Sequence, residues 1–565
     1  MPNLQRDIIS CLLAHVDRSL RQQDLRADSS TYGAYISSHL WMDEAGHMGT
    51  TLLLTQIGFL LLAYERDLTQ HVSMPDIYEL LHRMQIATSY LLRVQRPSGL
   101  IDLRNTNYDS GPDTGFAVQL IGAFLEQVRA SGSNLFANLL PALEDFCRRA
   151  LHGLLTGGFH TPNHRWVVTG ALMLGHKLFP EVEVAPVVEA YIAEGIDIDE
   201  DGTYLERSIA VYDAVTNRSL AFYADNIGDE SEKSRIYAII SRNLMLNLHL
   251  LHPDGTAETA LSSRHDRGVR NVPTTLIAPY LHVGIVKDSQ DFIAAASYLW
   301  NCGQAEGYIE DAVWVTYVLL RHGAIPATSP AVPKSYIRYL PHNRLWRKRD
   351  RNISISLHGE GSHLLHFIYG QAELLSLQIA QAYFSVGLFL PDSMEVTDEI
   401  ITLLSSGLQK PNLPAYHLPL GRAVARSEFD ASIQARQHKS IPPARSKLQA
   451  TPVEDGLLLK YTTLDGLDQV ITQISLDFPA GGLWETDDTL AACQPGTTLF
   501  LKKGYGRMRY GADAIEIGPG HVSHLDRNMR HSVRPSESAV RVLLTFTTPV
   551  EHTFYVRGVG LLSPE

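Results

Sequence analysis

Apolar residues in the first half of the chain recur at helical spacing. Phe116, Leu120 and Phe124, joined by Ile121, Leu125 and Val128, form one stripe at i, i+4, the period that puts side chains on a single face of an α-helix. Residues 50–64 are apolar on nearly every side (Leu52, Leu53, Leu54, Ile57, Phe59, Leu60, Leu61, Leu62), as expected of a helix enclosed by others. Further helical patterns fall near 3–22, 76–95, 136–154, 166–178, 183–194, 206–225, 232–252 and 273–300. Short breakers separate them: Pro97-Ser98-Gly99, Ser110-Gly111-Pro112, Gly157-Gly158, Asp201-Gly202 and Pro253-Asp254-Gly255. About ten helices on short loops, with no strands between them and no strict repeat, predict stacked αα-hairpins. The expected first domain, 1–335, is therefore an (α/α) toroid, an incomplete barrel of helical hairpins.

Beyond the proline-bearing segment 324–341 the period changes from helical to two. Asn352 to Leu357 alternates, as do parts of 456–463, 469–478, 539–547 and 552–556, with Gly and Asp-Gly turns between them. The second domain, 336–565, is expected to be an antiparallel β-sandwich. Residues 430–450, with Pro442-Pro443 among polar neighbours, are expected to form a long surface loop.

Composition narrows the function classes. With 565 residues, 45% hydrophobic, 19% charged and a formal net charge of −13, the chain is a globular protein of more than one domain without the basic face that nucleic-acid binding requires. Cys11, Cys147, Cys302 and Cys493 show no CxxC spacing and are expected to be reduced thiols rather than a disulfide framework or zinc ribbon. No secretion signal opens the chain and no apolar run reaches the roughly 18 residues that span a bilayer, so a cytoplasmic location and no membrane partner are expected.

Candidate chemistry concentrates between Phe159 and Tyr212. Phe159-His160-Thr161-Pro162-Asn163-His164-Arg165-Trp166 and Asp201-Gly202-Thr203-Tyr204-Leu205-Glu206-Arg207-Ser208 each deliver polar groups from a loop to the start of a helical pattern. Asn163 after Pro162 also fits a helix N-cap, and Tyr212 beside Val211, Val215 and Leu220 also fits a core tyrosine; both readings stand. Three other stretches can line a cleft: Asn105 to Asp113, with Asn107, Tyr108 and Asp113; Asp28 to Gly33 with Trp41; and Ser262 to Arg267, with Arg264 and His265. Arg344, Arg347, Lys348, Arg349 and Arg351 form a basic block at the domain junction, where a charge run is most often a solvated face. His521, His524, Asp526 and His531 have spacing on which a structural zinc or calcium ion is conceivable, although no HExxH-like helix spacing supports a catalytic metal.

A helical domain followed by a β-sandwich, with Asn163-His164 opening one helix and Asp201 to Tyr212 about 40 residues later, resembles polysaccharide lyases of the heparinase II/III and alginate lyase type. The resemblance implies β-elimination at a uronic acid. The substrate carboxylate must be neutralised by donors before its C5 proton becomes acidic, which the likeness assigns to Asn163 with Arg165 or His164. Tyr212 is then the acid toward the leaving oxygen and also a candidate to abstract the proton, with His164 the other base candidate and His358 a further residue drawn from the sandwich. Tyr204, Glu206, Arg264, His265, Asn107, Tyr108 and Asp113 fall to substrate binding. The family pattern sets its tyrosine one residue nearer the glutamate and follows it with histidine, whereas Tyr212 precedes Asp213, which leaves Tyr204 as a rival.

The expected substrate is a uronate-containing oligosaccharide, with no cofactor, no nucleic acid and an open question of homodimerisation. Two other readings remain: a glycoside hydrolase using Asp113 and Glu206 as acid and base, and a carbohydrate-binding protein without turnover.

Overall fold

The computed structural model describes residues 2–39, 42–383, 387–407, 415–530 and 532–560. The chain divides into two compact units, Met1–Pro333 and Lys334–Glu565.

The first unit is helical. Its helices are α1 (Pro2–Arg21), α2 (His47–Glu65), α3 (Ile77–Val94), α4 (Gly111–Ser131), α5 (Leu140–Gly157), α6 (Pro162–Leu178), α7 (Ala185–Ala193), α8 (Tyr212–Asn226), α9 (Glu230–Leu250), α10 (Ile277–Val286), α11 (Gln290–Ala305) and α12 (Ala312–His322). Each even-numbered helix packs on the next, and α12 returns to α2, which closes an inner ring of a helical toroid. Burial follows from position in that ring. Helix α2 buries Leu53, Leu54, Ile57, Phe59, Leu60, Leu61 and Leu62, because inner helices meet neighbours on all sides. It is also the one helix among the described residues long and apolar enough to cross a membrane, with 78% of that stretch buried in the fold.

Several expectations need correction. Residues 206–211 are not helical, and α8 begins only at Tyr212, because Ser208 and Ala210 hydrogen-bond to Asp266 instead of to a preceding turn. The pattern over 273–300 splits into α10 and α11 at Asp288, whose φ of 51° breaks the helix. Helix α12 was not anticipated: Ala312 to Leu320 is buried all round and shows no one-sided stripe. Two small hairpins, Tyr35–His39 with Met42–Gly46 and Ile101–Leu103 with Asn107–Ser110, interrupt the helices.

The second unit holds an eight-stranded and a nine-stranded sheet. Alternation sets the facing: in the strand Gly456–Thr463, Leu457, Leu459 and Tyr461 point inward and share one core with Ile355, Phe367, Leu377, Ile474 and Val542 of the other sheet. Among the described residues the strands pair antiparallel except where Thr498–Phe500 runs parallel to Ala539–Thr547, beside an isolated parallel bridge from Val522 to Thr545. The expected loop over 430–450 instead contains the helix Phe429–Gln434 and the strands His438–Ser440 and Ser446–Val453. The basic block is a solvated face only in part: Arg351 is exposed, but Arg347 and Arg349 are buried in the strand Leu345–Asp350, with Arg347 Nη1 donating to Ser356 Oγ at 2.5 Å.

Candidate active site

The starts of α6, α8 and α10 gather at one end of the helical unit. Pro162 occupies the first turn of α6, where its missing N–H costs nothing, and Thr161 rather than Asn163 is the N-cap. The Asn163 backbone N–H donates to Glu206 Oε2 at 3.2 Å, so a carboxylate from the loop before α8 caps the positive end of α6. Thr275, just before α10, donates its hydroxyl to Ala210 O at 3.0 Å.

Glu206 is buried and its other oxygen is ion-paired to Arg264. The loop bearing Arg264 is fastened to the Glu206 segment: Ser263 Oγ donates to Glu206 O at 3.1 Å, and Asp266 accepts from Ser208 Oγ at 3.0 Å and Ser262 Oγ at 2.9 Å. Arg264 and His265 flank Tyr212, the guanidinium carbon 5.0 Å and the imidazole 5.6 Å from the phenol ring centre.

His164 stands on the α6 side, its ring 4.7 Å from that of His160 and 6.0 Å from Phe116. Burial, reinforced by the charges of His160 and Arg264, brings its pKa down to about 4. At neutral pH it is therefore an uncharged imidazole, and its buried Nδ1 has no hydrogen-bond partner among the described residues. The same is true of Asn163 Nδ2, while Asn163 Oδ1 accepts from Thr161 Oγ1 at 2.7 Å. An amide donor, a neutral imidazole, a phenol and a guanidinium thus sit on elements tied together through Glu206 and Arg264.

Other expected residues are elsewhere. Arg165 cannot serve as a free carboxylate donor: it is buried, held by Glu194 and Asp197 at 2.9 Å each, and lies over Trp166. Tyr204 is a core residue, fully enclosed, with its hydroxyl donating to Asn217 Oδ1 at 2.9 Å, so of the two rival tyrosines only Tyr212 stands beside Arg264. Asp113 is tied within its own turn by Asn107 Nδ2 at 3.1 Å and Ser110 Oγ at 2.6 Å, and Tyr108 is exposed with its hydroxyl on Arg104 O. The segment Asp28 to Gly33 is tied back to the preceding turn by Thr31 Oγ1, which donates to Asp24 Oδ2 at 2.6 Å, and Trp41 lies outside the described residues. His358 ends the strand Ile353–His358 of the second unit and is buried there. His521 and His524 direct ring nitrogens at the backbone oxygens of Thr545 and Thr472; His531 lies outside the described residues.

Sequence reasoning missed the layer beneath Tyr212. Asp213 is fully buried and accepts from Asn243 Nδ2 at 2.8 Å and Asn247 Nδ2 at 3.0 Å, while Asn217 Nδ2 donates to Asn243 Oδ1 at 2.8 Å. Burial pushes the Asp213 carboxyl up to about 7, against those amide donors and with the help of Asp266 and Glu206. The available signal was Asn243 and Asn247 at i, i+4 within the apolar pattern of α9.

No family model matches the chain, and no curated protein matches it. Among solved structures it is similar to a heparan sulfate lyase HepC mutant from Pedobacter heparinus, at TM-score 0.52 and 10% identity over 99% of this chain and 89% of that one. It is likewise similar to a heparinase III, the BT4657 gene product, at 0.52 and 9% over 98% and 84%. The chondroitin AC lyase of Streptomyces coelicolor A3 in complex with chondroitin sulphate matches at 0.53 and 12% over 97% and 79%. At such identities the likeness is one of fold, and it extends over nearly the whole chain.

Proposed function

We propose that this chain, whose fold matches that of polysaccharide lyases, cleaves uronic-acid-containing oligosaccharides by β-elimination at the start of α6 and α8. One observation carries the reading: Asn163 Nδ2 and His164 Nδ1, both buried and without partners among the described residues, sit on an element tied through Glu206 to Arg264 and Tyr212. A buried donor without an acceptor costs roughly 1–3 kcal/mol, and a substrate carboxylate supplies the missing acceptor.

In this reading Asn163 donates to the uronate carboxylate and spreads the charge that develops as C5 loses its proton. Neutral His164 is a base able to take that proton without first losing one of its own. The C5–H electron pair becomes the C4=C5 double bond, the C4–O bond breaks, and the Tyr212 hydroxyl protonates the departing oxygen. Arg264 and Glu206 orient the phenol and the start of α6. A cytoplasmic location, imported oligosaccharide as substrate and exo-action belong to the same proposal.

The test is the ultraviolet absorbance of an unsaturated uronate while the purified chain meets a panel of uronate oligosaccharides, with His164→Ala and Tyr212→Phe as controls. A rise that both variants lose by roughly a hundredfold or more is the expected result. New reducing ends without absorbance would replace elimination by hydrolysis, and glycan binding with neither product would leave a binding protein.

A further inference from the structure

Inside the helical toroid, α8, α10 and α12 enclose a cavity of about 30 Å³ lined by Arg218, Phe222, Asp225, His282, Trp314 and Arg321 among others. One water needs roughly 10–15 Å³ of such space, so the cavity takes two or three waters or the head of one small anion.

The positive groups on its walls are not equally committed. Arg321 Nη1 is ion-paired to Asp225 Oδ2 at 2.9 Å, and His282 Nε2 lies 3.2 Å from the same oxygen, so that carboxylate already faces a cation. Arg218 is different. Its Nε reaches Gln119 Oε1 at 3.4 Å, its guanidinium carbon rests 4.3 Å from the Trp314 ring centre, and its nearest carboxylate, Asp311, is 3.9 Å away. That is beyond hydrogen-bond distance, so both Nη groups lack a protein acceptor among the described residues. Burial lowers the pKa of the guanidinium to about 10, the mark of a cation short of compensating partners.

We infer that Arg218 is an anion-binding residue and that this cavity receives a carboxylate, held by the two Nη groups with Trp314 beneath the guanidinium. A planar fork of donors matches a carboxylate in two parallel hydrogen bonds. None of Asn163, His164, Tyr212 and Arg264 lines this cavity, so the inference does not depend on β-elimination. Two sources share the chemistry, a free small carboxylate and the carboxylate of a sugar acid.

The experiment titrates the full chain with sodium acetate, sodium glucuronate and sodium chloride in turn, followed by tryptophan fluorescence, in which Trp314 reports directly. Saturable change with acetate or glucuronate is expected, weakened at least tenfold in Arg218→Gln. Response to acetate alone assigns a free carboxylate, and response to glucuronate a sugar-acid subsite. Asp311→Asn, which removes the competing charge at a φ of 54° that asparagine tolerates, is expected to bind several-fold tighter, and it keeps the test decisive if Arg218→Gln does not fold. No saturation, saturation by chloride without carboxylate, or an Asp311→Asn affinity no better than wild type would overturn the assignment.

Discussion

The guanidinium carbon of Arg264 lies 5.0 Å from the centre of the Tyr212 ring. The same side chain is ion-paired to buried Glu206, so one residue couples the phenol to the group that caps α6. Arg264→Gln leaves the Glu206 carboxylate with the Asn163 N–H as its remaining partner in this site. Since Arg264 is about a third exposed, the expected loss of stability is about 1–2 kcal/mol rather than the 3–5 of a fully buried pair. Arg264 also helps to hold the His164 pKa down, so the His164 titration followed by NMR should move upward in the variant. An unmoved titration would separate Arg264 from the His164 environment.

His164 gives a pH signature. Its folded pKa is about 4 against an ordinary 6.5, so between those values the unfolded chain binds a proton that the folded chain refuses, and stability falls as pH drops from 6.5 towards 4. The contribution is roughly 3 kcal/mol at most. His164→Gln removes it, and thermal unfolding at pH 7 and at pH 4.5 should show a smaller difference in the variant than in the wild type. Equal slopes would mean that the imidazole titrates like one in water.

Much of this architecture was legible because periodicity is local. The stripe from Phe116 to Val128 announced α4, and the alternation in Gly456–Thr463 announced a strand. Helix α12 escaped because a helix buried all round has no polar face to give it away. In the site, Asn163 and His164 were marked by their place at a helix start and Tyr212 by the family resemblance, whereas Arg165 was read as a donor because Glu194 and Asp197, which claim it, lie about 30 residues along the chain. Asp213 could not be singled out from sequence, since its character comes from Asn243 and Asn247 on another helix.

Tyr204 tests the distinction between core and cleft. Its hydroxyl serves Asn217 in a fully buried network, so Tyr204→Phe strands one amide oxygen and should cost about 1–3 kcal/mol. Any catalytic rate of the folded protein should stay within a few-fold of wild type, in contrast to Tyr212→Phe. Chemical denaturation gives the first quantity and a rate measurement the second. A large rate loss without a stability loss would return Tyr204 to the cleft.

Asp213 carries the opposite pH sign to His164. Its pKa is raised from 3.8 to about 7, so between those values the folded chain holds a proton that the unfolded chain releases. The stabilisation is complete below the unfolded pKa and is lost as pH rises through about 7. In the wild type this trend runs against that of His164, and the sum conceals both. Asp213→Asn is nearly isosteric, and its amide oxygen can accept from Asn243 and Asn247 as Oδ2 does now. The variant should match the wild type near pH 4 and exceed it increasingly towards pH 8, by roughly 4 kcal/mol as an upper bound. Unfolding midpoints of the two proteins at pH 4, 6 and 8 measure this directly. A variant less stable at pH 8 would show that the ionised carboxylate contributes favourable interactions large enough to outweigh its burial.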